Sequence, residues 1–222
     1  MTTMRIQRNI TIPDPIDWDR MPQVAKIDLV KSLIQNLKTA DFNSTLKIVT
    51  TILHRLAGPN PETEFPVLSL LIIALGEVKF QEMFPTILDT LSLILVDRNA
   101  LPQLRKQVAL VIGHLGQDST IDLLVNAYPP NDELVVKEAI CQAVANIGGE
   151  NAYGILAVAI MESEEQLRSA GWQHLATVFK TAHVDPDLRA LFINVCNHET
   201  DARVQARARQ ALRVLEQHQA EA

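Results

Sequence analysis

The sequence predicts an all-α fold: an α-α superhelix of about five helix pairs, preceded by an extended N-terminal arm. Three observations carry this prediction. First, a segment repeats when a basic residue is taken as its anchor, with Arg105, Lys137 and Arg168 spaced 32 and 31 residues apart. Periods of about 30 to 45 residues without strand signals belong to helical solenoids, in which each unit buries its apolar face only by stacking on a neighbour. Second, equivalent positions carry equivalent side chains. Counting from the anchor, the seventh is apolar (Ile112, Val144, Leu175), the eighth small (Gly113, Ala145, Ala176) and the tenth apolar (Leu115, Ile147, Val178), while the eleventh is Gly116, Gly148 or Phe179. A small eighth residue lets the helix of the next unit approach closely. Third, with 8 glycines in 222 residues and 5% aromatics, the composition suits helix-on-helix packing better than sheets.

Taken in order, residues 1–22 read as the arm. Ile6, Ile10, Ile12, Ile16 and Trp18 occupy even positions, which places them on one face of an extended chain, and Pro13, Pro15 and Pro22 interrupt any helix. That face suits docking on the first helices as a cap for the stack, or insertion into a partner. Helical periodicity begins at Val24 and runs through Ile27, Val30, Leu33, Ile34 and Leu37; a second helix spans about Asn43 to Leu56, stopped by Gly58-Pro59. Residues 64–78 and 81–97 form the next pair, with Pro85 demanding a kink or a restart at Phe84. If Phe65 takes the anchor place, Gly76 joins the glycine column.

From Leu101 the units become regular. Pro102 opens the first motif helix, Asp118-Ser119 can cap a short return helix, and Pro129-Pro130-Asn131-Asp132 turns into a helix over 133–147. Gly148-Gly149 ends that helix with a left-handed residue, and 151–161 returns. Ser163 with Gln166 reads as a capping box for 166–180. Asp185-Pro186-Asp187 starts a helix to about Asn197, and 201–217 realigns with Gln205 as anchor.

The string Leu104-Arg105-Lys106-Gln107-Val108-Ala109-Leu110-Val111-Ile112-Gly113-His114-Leu115-Gly116 resembles the signature helix of HEAT repeats, particularly the short phycobilisome-lyase-like type, and residues 136–148 are similar. The resemblance covers 101–218; residues 24–97 match as helix pairs of suitable size. The chain accordingly divides into an arm (1–22), a HEAT-like solenoid (23–218) and a disordered tail (219–222). The resemblance implies that the anchor bonds to an acid or carbonyl in the loop between paired helices, and that the motif helices line a concave face. Asp132, Glu164 and Asp201 precede their anchors by four or five residues and are candidate partners, although solvated charges near helix starts account for them equally well.

If positions three, four, seven and ten enter the core, positions one, five and nine lie on the opposite face, four apart as a helix requires. These are Lys106, Leu110 and His114; Glu138, Gln142 and Asn146; Ser169, Gln173 and Thr177; and Ala206, Gln210 and Val214. Uncharged hydrogen-bonding groups dominate the stripe, and they satisfy a partner's backbone at lower desolvation cost than full charges do. The same composition also suits an ordinary solvated face.

Chemistry is otherwise absent from the sequence. There is no phosphate loop, no Cys-x-x-Cys and no His-Glu-x-x-His; the six histidines lack metal-ligand spacing, and His198-Glu199 is a single pair. No metal or cofactor is expected. A formal charge of −6 argues against nucleic acid as a general partner, and Arg203, Arg207, Arg209 and Arg213 read as the solvated face of the last helix. Cys141 and Cys196 read as buried thiols in a reducing compartment, and no apolar run spans a bilayer, so the expectation is a soluble cytoplasmic protein. The favoured function is a non-enzymatic scaffold or adaptor whose helical groove binds a protein segment in the assembly, turnover or regulation of a larger complex. The alternative, which the resemblance supplies, is a bilin lyase or isomerase subunit acting on phycobiliproteins.

Overall fold

The computed structural model describes residues 18, 20–57, 64–128 and 133–221. The arm up to Ile16, the Gly58-Pro59 stop and the turn at 129–132 lie outside the described residues. Among those described there is no strand, and the chain divides into two compact units, residues 1–90 and 91–222.

The first unit holds α1 (Gln23–Leu37), α2 (Phe42–Leu56), α3 (Phe65–Gly76), a 3-10 turn at Gln81–Met83 and the start of α4 (Phe84–Val96). Helix α1 buries Lys26, Val30, Leu33 and Leu37, and α2 buries Thr45, Ile48, Val49, Ile52 and Leu56. Both sets recur at three and four residues, the spacing of one helix face. Asp41 caps α2 by accepting from the Ser44 N–H at 2.7 Å, and that bond holds its carboxyl below the usual range. Pro85 restarts the chain instead of kinking it: the 3-10 turn ends and α4 begins at Phe84, which places Pro85 where a missing N–H costs nothing. Trp18 is buried and helical, with Arg55 5.2 Å and Lys26 5.7 Å from its ring. Its end of the predicted arm is therefore not extended. Lys26 also pairs with Glu64.

The second unit completes α4 and adds α5 (Pro102–Leu115), α6 (Ile121–Asn126), α7 (Leu134–Ile147), α8 (Ala152–Ala159), α9 (Glu165–Val178), α10 (Pro186–His198) and α11 (Ala202–Glu221). The motif helices stack in sequence order, α5 on α7, α7 on α9 and α9 on α11, with α8 against both α7 and α9. Asp185 caps α10 as expected, accepting from Asp187 and Leu188 N–H. Gly148 and Gly149 have φ of 77° and 74°, the left-handed stop the sequence called for.

Three local expectations are corrected. Asp118-Ser119 forms a 3-10 turn with Thr120 and does not cap α6; Thr120 Oγ1 donates to the Gln117 carbonyl instead. Ser163 and Gln166 make no capping box, because α9 begins after Glu164, which shifts Ser163 out of the N-cap position. Helix α11 continues through Glu221, since Gln219, Ala220 and Glu221 contain no helix breaker, so 219–221 extend the helix where a tail was expected.

Candidate partner-binding face

The anchors fix how one unit meets the next. Arg105 is only 2% exposed and donates from Nε to the Leu95 carbonyl at the end of α4, 2.8 Å away. Lys137, 5% exposed, places Nζ 2.8 Å from Glu162 Oε1 and 5.3 Å from the centre of the Tyr128 ring. Arg168 forms a two-pronged pair with Glu199, Nε to Oε2 at 2.8 Å and Nη2 to Oε1 at 3.0 Å, while Nη1 donates to the carbonyls of Glu162 and Ser163. Glu162 thus joins two units, its carboxylate receiving one anchor and its carbonyl the next.

These partners correct the sequence expectation. Asp132 lies outside the described residues, Asp201 uses its carboxylate to cap α11 through the Arg203 and Val204 N–H groups, and Glu164 is exposed at the start of α9. The working acids, Glu162 and Glu199, each lie six residues before the following anchor position. That recurrence stands in the sequence, two residues upstream of Glu164 and Asp201. Arg168 and the Asp201 N–H hold the Glu199 carboxyl below its ordinary value.

Small residues set the spacing between motif helices. A Cβ added at Gly113 would lie 2.4 Å from Ala143 Cα and 2.6 Å from its Cβ, so α5 and α7 touch backbone to backbone there. Gly116 and Gly148 share a sequence column for different reasons. Gly116 has an ordinary φ of −69°, and its hydrogen fills space that a Cβ would contest with Ile112 O and Ile147 Cδ1. Gly148 has open surroundings and a positive φ. Phe179, third in the column, is fully buried beside Tyr153 and Phe192, with Trp172 edge-on to Phe192 at 6.3 Å. Sequence reading missed this aromatic cluster because its four members come from three segments, Tyr153 on α8, Trp172 and Phe179 on α9 and at its end, and Phe192 on α10.

Every stripe residue stays out of the core. Lys106, His114, Gln142, Asn146, Gln173, Thr177, Ala206 and Gln210 are exposed; Leu110, Glu138, Ser169 and Val214 are half-buried. Positions three, four, seven and ten of the first unit, Val108, Ala109, Ile112 and Leu115, are buried as the pattern required. One residue outside the stripe joins it. Arg207 of α11 donates from Nη1 to Ser169 Oγ at 2.8 Å and to Gln173 Oε1 at 3.3 Å on α9. Nothing in the i,i+4 pattern of arginines distinguished this one.

Several titratable groups around the motif helices are buried or already bonded. Burial pushes the Cys141 thiol up to about 12, the direction opposite to that of a nucleophile. Burial likewise raises Tyr128 and Tyr153, whose hydroxyls donate to Glu162 and the Ala182 carbonyl, and lowers His174. Glu199 of the lone His-Glu pair is committed to Arg168, and His198 Nδ1 lies against its own helix at Asn194 O. Among the described residues no group of three or more His, Cys, Asp or Glu side chains is arranged to hold a metal, and no helix is long and apolar enough to cross a membrane. A shallow pocket of about 470 Å³ lies off the stripe, lined by His183, Val184, Pro186, Arg189, Ala190 and Ile193.

No protein-family model and no curated protein matches the sequence. Solved structures do. The chain is similar to the complex of CpcE and CpcF of phycocyanin lyase from Nostoc sp. PCC7120, at 16% identity over 75% of this chain and 99% of that one, with a TM-score of 0.53. It is also similar to an engineered protein of known crystal structure (15% identity, 89% and 93% covered, TM-score 0.52). A designed armadillo repeat protein in complex with the peptide (KR)4 is a third (13% identity, 87% and 98% covered, TM-score 0.51). With its anchored, stacked motif helices, the chain has the α-helical repeat fold of HEAT and armadillo proteins.

Proposed function

We propose that this protein is a non-enzymatic scaffold or adaptor that holds a segment of a partner protein against the face formed by α5, α7, α9 and α11. The observation that carries the reading is the combination of stacked motif helices with an exposed row of amides: Gln142, Asn146, Gln173 and Gln210 point away from the core on consecutive layers. An extended peptide carries unpaired N–H and C=O groups along its length, and amide side chains supply both an acceptor and donors. Because the helices are fixed by their own anchors, ordering cost falls mainly on the partner. The bound peptide of the designed armadillo neighbour supports the same use of this fold.

The test is capture of partners from the native source with wild-type protein and with Gln142→Ala, Asn146→Ala and Gln173→Ala combined. The reading expects a protein recovered with the wild type to be lost with the triple variant, at unchanged folding. Recovery of the same proteins by both would reject it.

A second reading rests on the likeness to the CpcE and CpcF complex. Under it the face would hold a bilin, and the protein would attach or detach that chromophore on a phycobiliprotein, with a partner subunit. Incubation with a bilin and an apo-phycobiliprotein separates the two readings: a lyase yields a covalent visible absorber, a scaffold none.

A further inference from the structure

We infer that the segment held on this face is acidic, with one of its carboxylates seated on Arg207. The inference rests on the partner-binding reading above and specifies the partner's chemistry. Arg207 is exposed, and it donates to a hydroxyl and an amide oxygen, Ser169 Oγ and Gln173 Oε1. Among the described residues no carboxylate pairs with it. Two neutral acceptors orient the guanidinium from Nη1 and leave its other donors, in their planar fork, for a ligand. A carboxylate matches that fork with two parallel bonds, and a side chain already held in place loses less rotamer freedom on binding.

The surrounding charge points the same way. Arg203 lies one turn earlier on the same row of α11 and is exposed, and Lys106 is exposed on α5. Against these three cations the face sets two carboxylates, Glu138 on α7 and Glu165 one turn before Ser169 on α9, in a chain whose net charge is −6. Two further acids nearby are occupied: Glu199 with Arg168, and Asp201 with the start of α11. Arg209 differs from Arg207, since it lies toward Cys196. The stripe thus combines amides for a partner's main chain with cations at the α11 side, the reverse of what a (KR)4 ligand requires.

Selection of a phage-displayed random dodecapeptide library on the full chain tests this. The expected peptides are enriched in Asp and Glu, bind about tenfold more weakly to Arg207→Gln, lose affinity as salt rises from 50 to 300 mM, and bind Arg209→Gln unchanged. Matching thermal unfolding of both variants keeps folding out of the comparison. Peptides without an acidic bias, or rich in Lys and Arg, overturn the inference, as do acidic peptides indifferent to Arg207→Gln. If such neutral or basic peptides are lost with Gln142→Ala plus Gln173→Ala, the partner-binding reading survives and only the charge assignment falls. A library that yields no peptide removes both. A single-stranded oligonucleotide that binds more tightly than any selected peptide, with the same sensitivity to Arg207→Gln, also overturns it by assigning the cations to phosphates.

Discussion

The contact of α5 with α7 and the packing of α9 against α8 and α10 do the same job by different means. Between α5 and α7 the contact is made by absence of volume: Gly113 lets two backbones meet, and Gly116 leaves room for Ile147. Around α9 the glycine column gives way to Phe179, and an aromatic cluster takes over, while the anchor acquires a two-pronged acidic partner in Glu199. The comparison teaches that a repeat diverges at its consensus positions without losing its stack, provided that the buried volume and the anchor's hydrogen bonds are restored by residues from elsewhere in the unit.

The largest expected effect probes the aromatic side. Phe192 is fully buried and touches three other rings, so Phe192→Ala should cost about 3–4 kcal/mol in denaturant unfolding. A loss under 1 kcal/mol would mean that the cluster does not replace the glycine-mediated contact. Gly113→Ala probes the other layer. Its methyl meets the Ala143 backbone, which cannot rotate away, and a loss of about 2–3 kcal/mol is expected from urea titration.

Glu199→Gln separates the two kinds of anchor. Glu199 is 4% exposed at its side chain and Arg168 17%, so removing the charge should destabilise by roughly 2 kcal/mol at neutral pH. The sign of its pH dependence follows from the lowered carboxyl pKa. The stabilisation is fully present above the ordinary value near 4.5 and is lost as pH falls through the lower folded value, so wild type should lose its advantage over Glu199→Gln only below about pH 4.5. Equal acid sensitivity in the two proteins, followed by circular dichroism, would contradict the pairing. The smallest effect has the opposite direction. Gly154 lies inside α8 with nothing within 4 Å of an added Cβ, and Gly154→Ala should stabilise by about 0.5–1 kcal/mol. Together with Gly113→Ala it asks whether a glycine is kept for space or by neglect.

Much of the fold was legible because helical periodicity is a local signal. The starts at Pro102 and Asp185, the stop at Gly148, the restart at Phe84 and the buried columns of α5 all follow from spacing within one segment. The stripe was placed on the exposed side for the same reason: once four positions of a helix are assigned to the core, the opposite face is fixed by 100° per residue. Capping was less legible at Ser163 and Asp118: α9 starts one residue later than Ser163 and takes no side-chain cap, and Asp118 enters a 3-10 turn ahead of α6. The anchor partners were missed although the acids recur, because which of several nearby carboxylates reaches a buried cation depends on the loop's path.

The sequence by itself determined the repeat, its small-residue contact position and the polar character of the exposed row, since each is set by residues within one helix of one another. Tertiary structure alone decided which acids receive Lys137 and Arg168, how four scattered aromatics replace a glycine, and that Arg207 crosses from α11 to Ser169 and Gln173. Those are contacts between residues 13 to 39 positions apart, and their geometry comes from how stacked helices are rotated and displaced against one another, which spacing along the chain does not encode.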